Sequence, residues 1–264
     1  MRKDRTVPKQ AARKKSGVPA VEKALDVLEL LADVPRGMTM NELVDALDRT
    51  MGEIYRIVIY LTDRGFLRHD PVSSRYALTL KLFELSHRHE PTETLILAAT
   101  PLLEQFSAQV MQSCHLSVLS DAHVLVLASS RSPLPAGYAV HTGGLFPIAH
   151  SSSGHVILAF SPDEVQQRYL ANLDPQDSRQ VADRLAGIRD AGFADTPSTL
   201  VTGVRDLCAP VFDARGVVGA IATGYISQVG EAPGLECART ALVSAAQQLS
   251  ETLGGNVTRR GQCR

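Results

Sequence analysis

The chain has 264 residues, 44% of them hydrophobic and 21% charged, with a formal net charge of −1. These proportions are ordinary for a globular protein and the length suffices for two domains. No apolar run approaches the roughly 18 residues of a membrane-spanning helix, and the basic N-terminus lacks the apolar stretch of a secretory signal, so a cytoplasmic protein without membrane contact is expected.

The net charge hides an asymmetry. Residues 1–15 carry seven lysines and arginines against Asp4 alone, and no lysine follows Lys81. Residues 1–17 read as a basic, disordered arm suited to neutralising phosphates. The alternative for the arm is a solvated tail with no partner.

Val21, Ala24, Leu25, Leu28 and Leu31 repeat at helical spacing. Thr39-Met40-Asn41-Glu42 and Thr50-Met51-Gly52-Glu53 are both T-x-x-E capping boxes, which mark helix starts. They lie eleven residues apart, so the first of the two helices has about two turns before the second begins, as a helix-turn-helix requires. Met40, Leu43, Val44 and Leu47 give one apolar face. Ile54, Ile57, Val58 and Leu61 give another, with Tyr55, Arg56, Ile59 and Tyr60 turned away from it. Gly65 is placed as a C-cap. Phe66-Leu67-Arg68 and Arg75-Tyr76-Ala77-Leu78 flank the turn-rich Asp70 to Ser74, a β-hairpin. The sum over residues 18–79 is a winged helix-turn-helix; any small helical domain with a hairpin is the plainer alternative.

Residues 80–91 read as a linker helix stopped by Pro91, with a further helix from Leu95 to Val110. Residues 92–255 then alternate strands and helices, and 256–264 read as a tail. Leu116–Leu119 with Val124–Leu127, and Leu207–Phe212 with Val217–Ile226, are hairpins. Asp163–Leu170, Val181–Ala191 and Glu236–Leu253 are helices. An antiparallel sheet with helices packed against it is the consistent architecture, α+β in class.

Gly143 to Val156 carries the suggestive chemistry. A glycine-containing loop runs through Ser151, Ser152 and Ser153 into a helix from Val156 to Phe160, and free N–H groups at a helix start bind anions such as a small carboxylate. A simple serine N-cap explains the same residues. A hydrolase built on Ser151 to His155 is the alternative function. It lacks G-x-S-x-G, and the histidines show neither H-x-x-x-H nor H-E-x-x-H, so no enzyme is expected. The cysteines Cys114, Cys208, Cys237 and Cys263 form no C-x-x-C pair, and neither a metal nor a cofactor is indicated.

Taken in order, several pieces resemble an IclR-type transcriptional regulator over residues 18 to 255. They are Ala24 to Leu31, Glu42-Leu43, Ile54-Tyr55-Arg56, Asp63 to Leu67, Arg75 to Thr79, Pro147 to His155, Gly192-Phe193-Ala194, and Gly203-Val204 through Asp213 to Gly216. The family's P-x-x-x-T-A-x-G-K stretch has a histidine, His155, at its lysine. The family often starts its recognition helix with a Pro-Lys-Ser-Thr type of sequence, where this chain has Thr50-Met51-Gly52-Glu53.

The resemblance implies an N-terminal winged helix-turn-helix, a linker helix and a C-terminal GAF-like effector-binding domain. It implies a homodimer or homotetramer on double-stranded, roughly palindromic operator DNA. Met51 to Thr62 would enter the major groove, with Tyr55 and Arg56 on bases or phosphates and Tyr60 nearer the backbone. Thr39, Arg49, Thr50, Met51, Gly52, Arg68, Ser74, Arg75 and Tyr76 complete the expected DNA face, although Tyr76 equally fits a packing role under the wing. A small organic acid is expected at Ser152, Ser153 and Gly154, against Cys208, Ala222, Thr223 and Gly224. Leu119, Leu127 and Phe146 would line an aromatic ligand, and Phe146, His150 and Thr199 would tune selectivity.

Overall fold

The computed structural model describes residues 18–87, 90–228 and 233–255. The expected basic arm and tail lie outside the described residues. The chain divides into two compact units that meet at Glu90 and Pro91.

The first unit runs α1 (Pro19–Ala32), β1 (Met38–Thr39), α2 (Met40–Ala46), α3 (Met51–Asp63), β2 (Leu67–Asp70), β3 (Arg75–Leu78) and α4 (Lys81–His87). Both capping boxes form. The Thr39 N–H donates to Glu42 at 2.8 Å and the Glu42 N–H to the Thr39 hydroxyl at 3.3 Å. Glu53 takes the Thr50 N–H at 3.0 Å and its hydroxyl at 2.8 Å. Each box stops one helix start from fraying, which sets the short turn between α2 and α3.

Val27 and Leu31, Leu43, and Ile54, Val58 and Leu61 meet Leu67 and Tyr76 in one core. The two-residue β1 pairs with β3 and makes the wing three-stranded, in the order β1-β3-β2. Gly37 makes this possible. Its φ is +72°, and an added Cβ would come within 2.5 Å of the Tyr76 carbonyl oxygen.

The second unit holds α5 (Glu90–Val110), β4 (Cys114–Ser120), β5 (His123–Ser130), β6 (Leu145–Pro147), a 3-10 turn at Ile148–His150 and α6 (Ser152–Phe160). It continues with α7 (Asp163–Leu170), α8 (Pro175–Ala191), β7 (Ala194–Pro197), β8 (Arg205–Phe212), β9 (Val217–Tyr225) and α9 (Leu235–Thr252). Pro91 falls in the first turn of α5, where an N–H has no intrahelical partner to lose. Pro175 likewise opens α8 six residues before Val181.

The six strands form one antiparallel sheet in the order β6-β5-β4-β9-β8-β7. On one face Leu103 and Phe106 of α5 and Leu242 and Leu249 of α9 pack on Leu116, Leu207 and Ile221. On the other, Leu158 of α6 and Leu185 and Ile188 of α8 pack on Val124, Cys208, Ala220 and Ala222. The small side chains of this second face let α6 come close. The fold is α+β, a winged helix-turn-helix followed by an antiparallel sheet with helices on both faces.

Candidate functional sites

The outward side of α3 is the first candidate. Ile54, Val58 and Leu61 point inward and are at most 6% exposed, whereas Met51, Tyr55 and Tyr60 are 43%, 52% and 58% exposed. Arg56 shares that exposed side. Arg64 donates to the Tyr60 hydroxyl at 2.9 Å and sits 5.7 Å from its ring centre, so Tyr60 is held rather than free to swing. Gly52, at the start of α3, would meet nothing within 4 Å if it carried a Cβ, so the N-terminal end of the helix is open.

Glu53 is tied inward by Lys23 at 2.6 Å. That bond, with those from Thr50, pulls its carboxyl down to about 2. Thr39 and Thr50 are likewise committed to their capping boxes. Arg49 is exposed and lies 3.9 Å from Asp26.

In the wing, Arg68 and Ser74 are exposed, and Ser74 holds the turn with a φ of +55°. Arg75 is differently placed. Its guanidinium donates to Glu42 at 2.8 and 3.1 Å and to the Gly37 carbonyl at 2.8 Å, fastening the wing to the cap of α2. Tyr76 is 8% exposed and stacks on His69 at 4.5 Å; its ring is part of the core.

The second candidate lies over the sheet at the start of α6. Ser151 accepts the Gly154 N–H at 3.2 Å as the helix N-cap. Ser152 donates to Asp206 at 3.1 Å, and Ser153 lies 3.7 Å from the Cys208 thiol. A cavity of about 50 Å³ is bounded by these serines with His115, Tyr138, Phe146, His150, Ser198, Asp206, Ala222, Thr223 and Gly224 among others. Burial raises the Asp206 carboxyl, opposed by hydrogen bonds from Ser152 and Ser198. His115 keeps some surface toward the cavity, yet the protein around it pushes its imidazole down to about 4. Thr223 is buried and its hydroxyl donates to the Ser113 carbonyl at 2.7 Å.

Of the expected ligand-binding residues, Phe146, Ser152, Ser153, Ala222, Thr223 and Gly224 come together here. Gly154 lies beneath them, where a Cβ would press on Val124 and Ile148 at 3.0 and 3.1 Å. Cys208 is fully buried, its thiol pushed up to about 12 by that burial. Leu119 packs into the core under α6, and Leu127 into the core on the opposite face of the sheet. Thr199 donates its hydroxyl to the His150 carbonyl at 2.9 Å and so pins the approach to α6. The three serine hydroxyls are bonded to a backbone N–H, a carboxylate and a thiol, not to an imidazole, so no Ser–His pair forms here. Among the described residues no three acidic, His or Cys side chains group as metal ligands.

Residues 20–71 match the IclR helix-turn-helix domain, and residues 92–251 match the bacterial transcriptional regulator IclR C-terminal domain. The chain belongs to the IclR family. It is a DNA-binding transcriptional regulator of a non-enzymatic family.

Among its relatives, the HTH-type transcriptional regulator BhcR of Paracoccus denitrificans is 24% identical, over 90% of this chain and 88% of its own. The glycerol operon regulatory protein of Streptomyces griseus is 27% identical, over 90% of this chain and 97% of its own. Among solved structures, an IclR homologue from Microbacterium hydrocarbonoxydans complexed with 4-hydroxybenzoate superposes with a TM-score of 0.75 at 21% identity, over 89% of this chain and 98% of its own. The IclR of Thermotoga maritima gives 0.70 at 19%, over 89% and 98%. At these identities the structures share the fold.

Among the residues of this IclR-family cavity that carry no signal in a motif are His115, Tyr138 and Asp206. Asp206 had one available signal. It stands two residues before Cys208, so strand periodicity puts both on one face, and the register sets it opposite Gly224. Tyr138 lies in the irregular connection between β5 and β6, where no periodicity speaks.

Proposed function

We propose that this regulator binds operator DNA as a homodimer or higher homo-oligomer in the cytoplasm, and that a small organic acid at the start of α6 modulates that binding. The observation that carries the reading is the division of α3 into a buried stripe and an exposed side bearing Met51, Tyr55, Arg56 and Tyr60. Aromatic and cationic side chains on one open helix face suit a major groove lined by phosphates. Arg56 is the group for a base or phosphate, and Arg68 and Ser74 extend the contact from the wing. Arg75 serves the interface indirectly, by holding the wing to α2.

Self-association is supported by apolar side chains left open on two helices of the first unit. Val21 and Leu25 of α1 and Leu82 and Leu85 of α4 are between 42% and 54% exposed. A surface of this kind is covered in a dimer.

The acid would take the N–H groups of Ser152 and Ser153, which head α6 where no intrahelical acceptor exists. The bound form of the 4-hydroxybenzoate relative lends the ligand class general support. Burial raises the Asp206 carboxyl, which eases its approach to an anionic ligand. An effector then shifts operator affinity by no more than its preference for one of two conformations, about 1–3 kcal/mol.

The test is fluorescence anisotropy with DNA from upstream of the regulator's own gene, over a salt series, with and without a panel of small carboxylic acids. Specific binding that weakens or strengthens with one acid supports both halves. Specific binding indifferent to every acid removes the effector half, and its absence removes the operator half.

A further inference from the structure

The ligand cavity is small. A volume of about 50 Å³ accommodates a water or two, whereas a cavity of about 150 Å³ is the scale that admits a benzene ring. Something already fills the place of a ligand, and it is the ring of Tyr138. An ideal Cβ on Gly224 would lie 2.5 and 2.6 Å from the Tyr138 Cδ1 and Cε1. The ring therefore lies directly on the bare backbone of β9, opposite Asp206 in the β8–β9 register. Tyr138 and Asp206 line the same cavity, and burial with the Asp206 charge raises the phenol.

The segment that carries Tyr138 is anchored at its two ends and exposed between them. Between β5 and β6 the chain has no helix or strand from residue 131 to 144. Its first end is anchored. The Ser132 N–H donates to Ser113 at 3.0 Å and the Ser132 hydroxyl to the Met111 carbonyl at 2.7 Å. Its second end is anchored by the Gly143 N–H on the Val126 carbonyl at 2.8 Å. Between them Pro135, Ala136 and Gly137 are exposed, and the Gln228 amide reaches the Ala136 carbonyl at only 3.4 Å.

We infer that Tyr138 is an internal ligand of the effector site, and that the effector is a compound of the phenol class which displaces its ring from Gly224. The inference rests on the effector reading above and narrows it. A phenol-bearing acid reproduces what Tyr138 places there: a flat hydroxylated ring on Gly224, in the cavity that Phe146 and Asp206 also line. Its carboxylate end reaches the head of α6. Apparent affinity is reduced by the fraction of molecules whose site is open, so the side chain competes with the effector at every concentration.

Isothermal titration of the full chain with 4-hydroxybenzoate, using wild type, Tyr138→Ala and Gly224→Ala, tests this. Tyr138→Ala frees the site and binds tighter, by about ten-fold if nine wild-type molecules in ten are closed. Gly224→Ala puts a methyl group where the ring lies. In 19F spectra of 3-fluorotyrosine protein, with the Tyr138 signal assigned from Tyr138→Phe, it moves that signal to an exposed position before any ligand is added. Added 4-hydroxybenzoate does the same to the wild type.

Equal or weaker binding by Tyr138→Ala, or wild-type binding that leaves the Tyr138 signal in place, overturns the inference and leaves the effector reading standing. So does a non-aromatic acid that alters operator binding while 4-hydroxybenzoate binds no variant. If neither the acid panel nor 4-hydroxybenzoate binds any variant, both readings fall together.

Discussion

Replacing Tyr76 by alanine separates a packing role from a DNA contact. The ring is 8% exposed and lies in the core of the winged helix, stacked on His69. Aromatic side chains bury about 150–250 Å², and at about 25 cal/mol per Å² that amounts to roughly 4–6 kcal/mol. Measured aromatic-to-alanine changes cost about 3–5 kcal/mol, so about 4 is a fair expectation. A core of this size leaves only about 3–5 kcal/mol of net stability. Tyr76→Ala should therefore unfold most of the first unit at 25 °C, while the second unit, with its separate core, stays folded. Circular dichroism melting would show a lost helical transition, proteolysis would cut before residue 90, and operator binding would vanish as a consequence. Tyr76→Phe keeps the ring and should leave melting and operator affinity unchanged. A Tyr76→Ala protein that melts like the wild type yet binds operator ten-fold more weakly would refute the argument and make the residue a contact.

Arg56→Ala should leave melting unaltered and lower the slope of log affinity against log salt by about 0.9 for each phosphate contact removed; an unchanged slope and affinity would take Arg56 off the DNA face. Glu53 has a folded-state carboxyl held at about 2, first by Lys23 and then by Thr50, against an ordinary 4.5. A depressed carboxyl stabilises the fold above its unfolded value, and this contribution is lost as pH falls from about 4.5 through about 2. Glu53→Gln should therefore lower the melting temperature at pH 7 and flatten the decline between pH 4.5 and 2. Parallel melting curves for the two proteins across that range would count against the Lys23–Glu53–Thr50 cluster. At the effector site, burial raises the Asp206 carboxyl and an anionic ligand in the same cavity would raise it further, so binding should take up protons and tighten as pH falls. Asp206→Asn should remove that dependence in titrations run in buffers of different ionisation enthalpy; a dependence that survives would take the proton uptake off Asp206.

What the sequence discloses depends on how local the governing physics is. The two capping boxes bind within four residues, so Thr39–Glu42 and Thr50–Glu53 announce α2 and α3 without tertiary help. The hairpins are legible for the same reason: alternation on each strand and a turn between them. Pro91 misleads because the same ring ends one helix and opens another, and the choice rests on what precedes it. Side chains on a sheet are harder still. Alternation does not say that Leu127 is half-buried against the core under α5 and α9. The irregularity in the β4–β5 register at Leu116/Ser117 means that counting from a neighbouring strand does not settle the face. Arg75 and Arg56 are both arginines in a DNA-binding unit, and only the fold brings Glu42 and the Gly37 carbonyl to one of them. Tyr138 is the extreme case. Its neighbours in sequence form no pattern, and its partner Gly224 lies 86 residues away; the missing Cβ at Gly224 and the ring at Tyr138 acquire meaning only against each other. Residues that make elements are thus written locally. Residues that make the site are those whose constraint is spatial, so the cavity has to be read from its walls inward.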